Sequence, residues 1–408
     1  MRAVTRLAAT AALVAAALGT EPGAQQAVAG PAGPGEVRES VAPGVGYRAF
    51  TVSTPHGNTR IHLVTADLAH PGVAAGLLYP GSVAAREAVS RMAGDAGAAA
   101  AVNGDFFDIT EEQHPGVEAT GAASGPALVA GRPLKGAVPE AQRFGWTEPD
   151  GDTDRDVFGV GVDGRARLGR LELRGHLRTP RGDLPLGGLN QYALPVGSIG
   201  AFTARWGSAS RARAACGTDE RREAPCTGDS YEVRVRHGRV AAVSGAPGRG
   251  PVAPDTTVLL GREAGARALR ELTPGTPVTL DYRLASSTPV PFAFALGAYP
   301  LLRDHQVPPG LDDATAIPRT AVGIADAGRT LRLLSTDGRE GTSSGLTLNE
   351  LAHLLRTLHC TDAAYLDGGA SATLATRLPG TTRVAARNNL DHHQERPVPN
   401  GIAVFSPH

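Results

Sequence analysis

The frequency of glycine and proline is the feature that most limits what this chain can fold into. Its 408 residues include 52 glycines and 31 prolines, and only 4% of the residues are aromatic. Glycine and proline both interrupt helices and favour turns. This composition favours short strands and turns over a helical bundle. The fold that we expect is mixed α+β, with twisted, mainly antiparallel sheets and a few flanking helices.

The N-terminal segment has the pattern of an export signal. A positively charged start is followed by an apolar stretch that is short for a membrane span, and then by the small residues Ala27–Ala29. This pattern is typical of a signal peptide over residues 1–29, cleaved after about Ala29. Residues 30–46 are interpreted as a linker and residues 47–408 as one domain. We therefore expect a secreted protein without stable membrane insertion.

Charge and cysteine content narrow the choice of partners and compartment. Lys plus Arg and Asp plus Glu number 40 each, so no net basic field would attract nucleic acid. Cys216 and Cys226 flank a polar segment, which favours a disulfide over a zinc site because no further Cys or His pair lies nearby. Cys360 is interpreted as a buried apolar residue. The sequence does not determine the oligomeric state.

Local patterns in the first three quarters of the chain predict short elements. Two strands are expected around a turn at residues 56–58, followed by a helix at 83–93 and a strand at 98–103. Residues 140–290 are typical of strands and turns. The acidic segment 148–156 is interpreted as a solvated loop, with calcium binding as the alternative.

The last quarter contains a predicted hairpin and a predicted helix. A hairpin loop centred on Gly328 would place Arg319 opposite Asp337. Thr347 and Glu350 have the spacing of a capping box, and the apolar residues that follow form one helical stripe. A strand then leads to Asp367. A helix followed by a strand that ends in polar residues and glycines is an arrangement that α/β sites favour.

Polar residues end three of the predicted strands. Taken singly, each group has a structural explanation: a turn, a loop or an ion pair. The groups are Asn103 and Asp105; Arg319, Thr320, Asp337 and Arg339; and Asp367, Gly368, Gly369, Ser371 and Thr373.

Taken together and in order, these segments resemble the phosphodiester glycosidase family. The segments are "NGDFF", "GGLN", "PRTAVGI", "DGR", "LTLNELAHLL", "YLDGGASATL" and "ERPVPNGIAVF", and the resemblance is strongest over residues 319–405. It implies that 47–408 is a catalytic domain acting on a sugar-phosphate or polysaccharide substrate. The implied reaction cleaves the anomeric C–O bond of a sugar-1-phosphodiester and releases the sugar and a phosphomonoester.

The resemblance also suggests roles for the polar residues. Asp367 is the first candidate for the carboxylate that assists water or stabilises positive charge on the sugar, followed by Asp337 and Asp105. Arginine side chains and glycine-loop amides suit the phosphate. The predicted substrate-binding residues are Asn103, Arg319, Thr320, Arg339, Gly368, Gly369, Ser371, Thr373 and Arg396.

Two other functions and one cofactor remain open at this point. The same scaffold could cut the P–O bond as a phosphodiesterase, or it could be a non-catalytic carbohydrate-binding protein of the cell envelope. Ala370, which stands where family members have a third glycine, favours the latter. No cofactor is expected to be required, and the alternative is a calcium or magnesium ion bound by Asn103, Asp105, Asp337 and Asp367.

Overall fold

The computed structural model describes residues 35–145, 151–338 and 343–407, which form 24 strands and three α-helices. The strands are β1 (Val37–Ala42), β2 (Val45–Thr54), β3 (Gly57–Asp67), β4 (Ala74–Leu78), β5 (Ala100–Asn103), β6 (Ala127–Val129), β7 (Arg132–Lys135), β8 (Asp156–Gly161), β9 (Ala166–Thr179), β10 (Gly182–Pro185), β11 (Gly188–Leu189), β12 (Ile199–Phe202), β13 (Ser230–Arg236), β14 (Arg239–Ser244), β15 (Thr256–Arg262), β16 (Thr279–Ser286), β17 (Phe292–Gly297), β18 (Tyr299–Leu302), β19 (Thr320–Ala325), β20 (Thr330–Thr336), β21 (Asp362–Tyr365), β22 (Leu374–Arg377), β23 (Val384–Ala386) and β24 (Gly401–Phe405). The helices are α1 (Val89–Asp95), α2 (Ala264–Arg270) and α3 (Leu348–Thr357). In these ranges we find no helix with the length and apolar character needed to cross a bilayer. The predicted signal peptide lies outside the described residues.

The strands form four sheets. Sheet I has the order β1-β2-β3-β20-β19-β21-β18, and sheet II has the order β10-β9-β8-β17-β6-β7 with β16 also paired to β9. Sheet III is β11-β12-β15-β13-β14, and sheet IV is β23-β22-β5-β24-β4. Among the described strands, all named pairs except β11–β12 are antiparallel. The expectation of mainly antiparallel sheets is confirmed, although strands outweigh helices more strongly than predicted.

Sheet I is covered on both faces, which explains the near-continuous apolar sequence of β21. Ala364 and Leu366 lie in a core cluster with Val102 and Ile402 of sheet IV. The alternate residue Tyr365 lies in a second cluster with the buried side chains of α3. Successive side chains of a strand point to opposite faces, so one strand serves two cores.

Helix α3 and the disulfide agree with the sequence prediction. Thr347 Oγ1 accepts a hydrogen bond from Glu350 N at 3.1 Å, and Glu350 Oε2 accepts one from Thr347 N at 2.9 Å. The predicted disulfide joins Cys216 and Cys226, and Cys360 is buried. The predicted apolar stripe of α3 is also buried; its residues are Leu348, Leu351, Ala352 and Leu355.

Two N-terminal boundaries were predicted wrongly. The described part of the expected linker is strand β1 and the start of β2, in which Val37 pairs with Ala49. The helix expected at 83–93 occupies Val89–Asp95 instead. Residues before α1 use their backbones in tertiary contacts, since Val83 N donates to Arg205 O at 2.8 Å and Glu87 forms a bridge with Val398. Such distant partners leave no local signal in the sequence.

The two predicted hairpins are present, but both turns are displaced from their predicted positions, the second by one residue in register. In the first, Thr54 pairs with Gly57, so the turn residues are 55–56. In the second, Thr320 pairs with Ser335, which places Arg319 opposite Thr336 and not opposite Asp337. A shift of one residue moves a side chain to the other face of the sheet. The predicted pairing of Arg319 with Asp337 is therefore wrong.

The described part of the acidic segment at 148–156 is a loop over residues 151–155, in which Gly151 and Arg155 are exposed, and the prediction of a solvated loop fails at Asp156. Residues 148–150 lie outside the described ranges, whereas Asp156 begins β8 and is buried. Its Oδ1 accepts hydrogen bonds from Arg170 at 3.2 Å and from Arg303 at 3.0 Å. Ion pairing to two distant arginines explains why this aspartate lies in the interior.

The capping box of α3 generates a stability prediction. Replacing Thr347 by Ala removes the acceptor for Glu350 N, so we expect the free energy of unfolding to fall by about 0.5–2 kcal/mol. Urea denaturation measures this change. Thr347→Ser, which keeps the hydroxyl group, is the matched control and should lose less. Equal losses in both variants would show that the methyl group, and not the cap, matters.

Candidate active site

The candidate site lies where the chain crosses from sheet I to sheet IV. Between β21 and β22, Leu366 N donates to Thr320 O at 2.9 Å, and Asp367 N donates to Gly104 O at 2.9 Å. Asn103 N donates to Thr373 O at 3.2 Å. These hydrogen bonds bring together Asn103, Thr320 and Asp367, one residue from each of the three predicted groups.

Asn103 connects these segments through its side chain and does not face a ligand. Its Oδ1 accepts hydrogen bonds from Thr320 Oγ1 at 2.7 Å and from Thr373 N at 3.0 Å. Its Nδ2 donates to Asp367 O at 2.7 Å. Because the amide is buried and has partners on both ends, Asn103 and Thr320 are structural parts of the site.

Asp367 is partly buried beside a serine and an arginine. Burial raises the pKa of its carboxyl group to about 7. Hydrogen bonds from the Ser371 side chain and from Gly368 N, and the charge of Arg396, act in the opposite direction. Arg396 Nη1 also donates to Ser371 Oγ at 3.3 Å, so Asp367, Ser371 and Arg396 form one connected group.

Different physical reasons favour glycine at each of the two positions after Asp367. A Cβ atom at Gly368 would lie 2.6 Å from Pro318 O, and Gly369 has a φ of +59°. Positive φ falls on Gly369 and not on Ala370, so alanine fits this loop without strain. Gly368 N donates to Asp367 and Gly369 N donates to Pro318 O at 2.8 Å. These amides are therefore engaged within the protein, in contrast to the predicted phosphate cradle.

Asp105 supplies a second carboxyl group. Its Oδ2 accepts a hydrogen bond from Gly125 N at 2.6 Å and its Oδ1 accepts one from Tyr299 Oη at 3.2 Å. Burial raises the pKa of Asp105, against the charges of Lys135 and Arg143. Asp105 is close enough to Asp367 for its charge to raise the pKa of Asp367. The structure thus brings together two of the three predicted catalytic aspartates.

Lys135 and Arg143 are charged residues of the site that the motifs did not identify. Lys135 is fully buried, and burial lowers its pKa to about 7 while Asp105 and Asp154 raise it. The Arg143 guanidinium lies 3.9 Å from the centroid of the Tyr299 ring. The one available signal was that Lys135 is the only lysine of the chain.

The acidic segment after residue 150 extends this charged region. Burial raises the pKa of Asp152 to about 7 and that of Asp154 to about 6, against the charge of Arg143 in both cases. Asp154 also interacts with Lys135. Three carboxyl groups with raised pKa values, those of Asp105, Asp152 and Asp154, therefore interact with the charge of Arg143.

Asp337 and Arg319 make their hydrogen bonds to residues other than Asp105 and Asp367. Asp337 Oδ1 lies 2.8 Å from His62 Nε2 and accepts a hydrogen bond from Asn389 N at 2.7 Å. Arg319 is buried, and its Nε and Nη2 donate to Leu346 O at 2.9 Å and to Thr315 O at 2.8 Å. Burial lowers the pKa of Arg319 to about 10. Both side chains hold loops together, and Arg339 lies outside the described residues.

Ser371 and Thr373 are buried, and only Ser371 contacts the catalytic candidates. The hydroxyl of Thr373 has no hydrogen-bond partner among the described residues. Arg396 is partly exposed, and its charge lowers the pKa of Asp367. Arg396 therefore replaces Arg319 as the candidate for the phosphate side.

The described residues contain one group of three potential ligand side chains within 4.8 Å of one another, namely His114, Cys216 and Cys226. The two cysteines are joined in the disulfide, so their thiolates are not available to a metal. Asp105, Asp337 and Asp367 do not form such a group. An assay of activity with a chelator present would test the expectation that no cofactor is required against its alternative, a bound calcium or magnesium ion.

The partly buried Asp367 and the buried Asp105 lie near the partly exposed Arg396, at the junction of two mainly antiparallel sheets. Residues 229–405 match the family model of phosphodiester glycosidase. The match confirms the predicted resemblance over these residues, which contain Asp367 and Arg396. No protein of curated function matches the chain.

Two solved structures with TM-scores above 0.6 share the fold. A hypothetical protein from Synechocystis has a TM-score of 0.66 at 20% identity, covering 89% of this chain and 62% of that one. The chain thus spans less than two thirds of the Synechocystis protein. A protein from Burkholderia pseudomallei K96243 has a TM-score of 0.63 at 22% identity, covering 86% and 74%. The zebrafish N-acetylglucosamine-1-phosphodiester alpha-N-acetylglucosaminidase catalytic domain has a TM-score of 0.44 at 14% identity, covering 91% and 88%.

The raised pKa of Asp367 predicts how this residue affects stability as pH changes. The folded protein keeps a proton on Asp367 up to a pKa of about 7, whereas the unfolded chain releases it near pH ~4. The stability that Asp367 contributes therefore falls as pH rises through this window. Because asparagine does not ionise, Asp367→Asn should raise the melting temperature relative to the native chain more at pH ~8 than at pH ~5.

Differential scanning calorimetry at the two pH values measures this difference. Asp183→Asn, on the exposed strand β10, is the control and should give the same small change at both pH values. An Asp367→Asn effect that does not depend on pH would contradict the raised pKa.

Proposed function

We propose that this protein is an exported hydrolase that cleaves the anomeric C–O bond of a sugar-1-phosphodiester. The observation that carries the proposal is the connected group of Asp367, Ser371 and Arg396, with the second carboxyl group of Asp105 beside it. The family match over residues 229–405 supports the same reaction class. The Cys216–Cys226 disulfide agrees with an oxidising compartment.

Hydrolysis of a sugar-1-phosphodiester depends more on a general base and on a binding site for the phosphate anion than on a strong general acid. In the proposed reaction, water attacks the anomeric carbon while the bond from that carbon to the phosphodiester oxygen breaks, and the bonding electrons stay on the phosphate. The leaving phosphomonoester has a second pKa of about 6 and leaves without full protonation. Asp367 in its ionised form takes the proton from water, and a pKa near 7 suits this role at neutral pH.

Arg396 is assigned to the phosphate. Its guanidinium group is partly exposed, while it also contacts Ser371 and interacts with Asp367. Guanidinium groups form strong charge-assisted hydrogen bonds to phosphate oxygens. An arginine held beside the base would place the phosphate, and hence the anomeric carbon, next to Asp367. Asp105 is assigned to stabilising positive charge that develops on the sugar.

Hydrolysis of a sugar-1-phosphodiester in ¹⁸O-water tests which bond breaks. Cleavage of the anomeric C–O bond leaves the released phosphomonoester without ¹⁸O, because the water oxygen enters the sugar. Cleavage of a P–O bond places ¹⁸O on phosphorus, which ³¹P NMR detects as an isotope shift. We expect an unlabelled phosphomonoester together with free reducing sugar.

The other outcomes of this experiment identify the alternatives. Labelled phosphate, or release of sugar-1-phosphate, would overturn the proposal in favour of a phosphodiesterase. Binding without turnover across a panel of aryl and sugar phosphodiesters would overturn it in favour of a non-catalytic envelope protein.

The assignment of Asp367 as base predicts the shape of the pH profile. Since only the ionised carboxylate accepts a proton, kcat/KM should rise as pH increases through about 7. Asp367→Asn should reduce kcat/KM by about 100-fold or more and remove this rise. Asp337→Asn is the matched control, because its carboxylate contacts His62 and Asn389; it should keep the rise. A rise that survives in Asp367→Asn and disappears in Asp337→Asn would reverse the two roles.

A further inference from the structure

The only lysine of the chain is buried behind the candidate site. Lys135 is the last residue of β7 and is 1% exposed. Its Nζ donates hydrogen bonds to the backbone carbonyls of Ser124 at 3.1 Å, of Gly136 at 2.5 Å and of Gly125. Lysine is seldom buried without a partner for its charge, so this position needs a physical explanation.

The three carbonyl partners match the charged form of the side chain. An ammonium group has three N–H donors and no acceptor, and each of its donors has one carbonyl here. A neutral amine would have two N–H groups and would direct its lone pair at the third carbonyl oxygen. The geometry therefore requires a positive charge that burial opposes, and the charge needs a nearby anion.

Asp105 is the carboxyl group placed to supply that negative charge, and one peptide group connects the two residues. Gly125 accepts a hydrogen bond from Lys135 through its carbonyl and donates one from its N–H to Asp105 Oδ2 at 2.6 Å. The charges of Lys135 and Asp105 also interact directly. The other titratable or charged groups around Asp105 in the described residues are Tyr299, Arg143 and Asp367, and the second acid near Lys135 is Asp154.

We infer that Lys135 is a positioning residue of the active site. Its ammonium group fixes the Ser124–Gly125 backbone and compensates the buried charge of Asp105, so that Asp105 stays ionised and correctly placed near Asp367. Lys135 touches neither water nor substrate in this role. The inference rests on the proposed function for its catalytic consequence, while the link between Lys135 and Asp105 is a property of the folded protein alone.

Because the chain has one lysine, this link can be measured without an assay of activity. Labelling with [ε-¹³C]lysine gives a single side-chain signal, whose shift reports the ionisation of Lys135. In the native protein we expect the ammonium form at pH ~6 and a titration midpoint well below that of a free lysine. Asp105→Asn removes the compensating anion, so the midpoint should move to lower pH.

The control for this titration is Asp281→Asn, which removes an exposed carboxylate and should leave the midpoint where it is. A lysine signal that does not respond to Asp105→Asn would overturn the inference. So would a neutral amine at pH ~6 in the native protein.

Kinetics then test the positioning role. Lys135→Met keeps the length of the side chain and removes its charge, and we expect kcat to fall by about 100-fold with a small change in KM. The pKa of Asp105 should rise, because this residue loses the cation that favours its ionised form, so the loss of activity at low pH should extend to higher pH than the ionisation of Asp367 alone sets. Lys135→Arg should recover part of the rate, since it keeps the charge but cannot reproduce the three donors in the same volume.

The two proposals fail in different ways. An unchanged rate and pH profile in a folded Lys135→Met variant would overturn the role of Lys135 and leave the proposed function intact. Absence of turnover on all sugar phosphodiesters would overturn the function, while the lysine titration would still test the link to Asp105. If Lys135→Met does not fold, the titrations of the native chain and of Asp105→Asn still decide whether the charges of Lys135 and Asp105 are linked.

Discussion

The side-chain amide of Asn103 makes three hydrogen bonds to three separate segments, and the site depends on them. It joins the end of β5 to Thr320 at the start of β19, to the backbone before β22 and to the carbonyl of Asp367. A buried amide with both ends paired is costly to disturb, because each broken bond would leave a buried polar group without a partner. These hydrogen bonds fix the position of Asp367 relative to the segment after β5 that contains Asp105.

Charge balance in a buried region is the second constraint. Asp105 and Asp367 lie close enough to interact, and burial raises the pKa of both. Lys135, Arg143 and Arg396 act against this rise. Because the site is largely buried, these charges interact more strongly than they would at the surface. The same balance gives Asp367 a pKa of about 7, which suits proton transfer at neutral pH.

Features encoded by neighbouring residues could be predicted, and features that depend on distant partners could not. The capping box of α3 and its apolar stripe are set within one segment, and the disulfide closes a short loop; all three were predicted correctly. The hairpin after Thr320 was predicted with its register wrong by one residue, which assigned Asp337 to Arg319. The register depends on the length of the turn and on the pairing of β20 with β3, which local alternation does not encode.

The sequence by itself determined the order of the motifs, the mainly antiparallel fold and the carboxylate followed by two glycines at Asp367. Only the tertiary structure decided which polar residues face one another. It placed Asp105 beside Asp367, directed Arg319 and Asp337 to other partners, and put Lys135 behind the site. The physical reason is that hydrogen-bond partners and burial arise from segments far apart in the chain, and these two factors set the charge and position of each side chain.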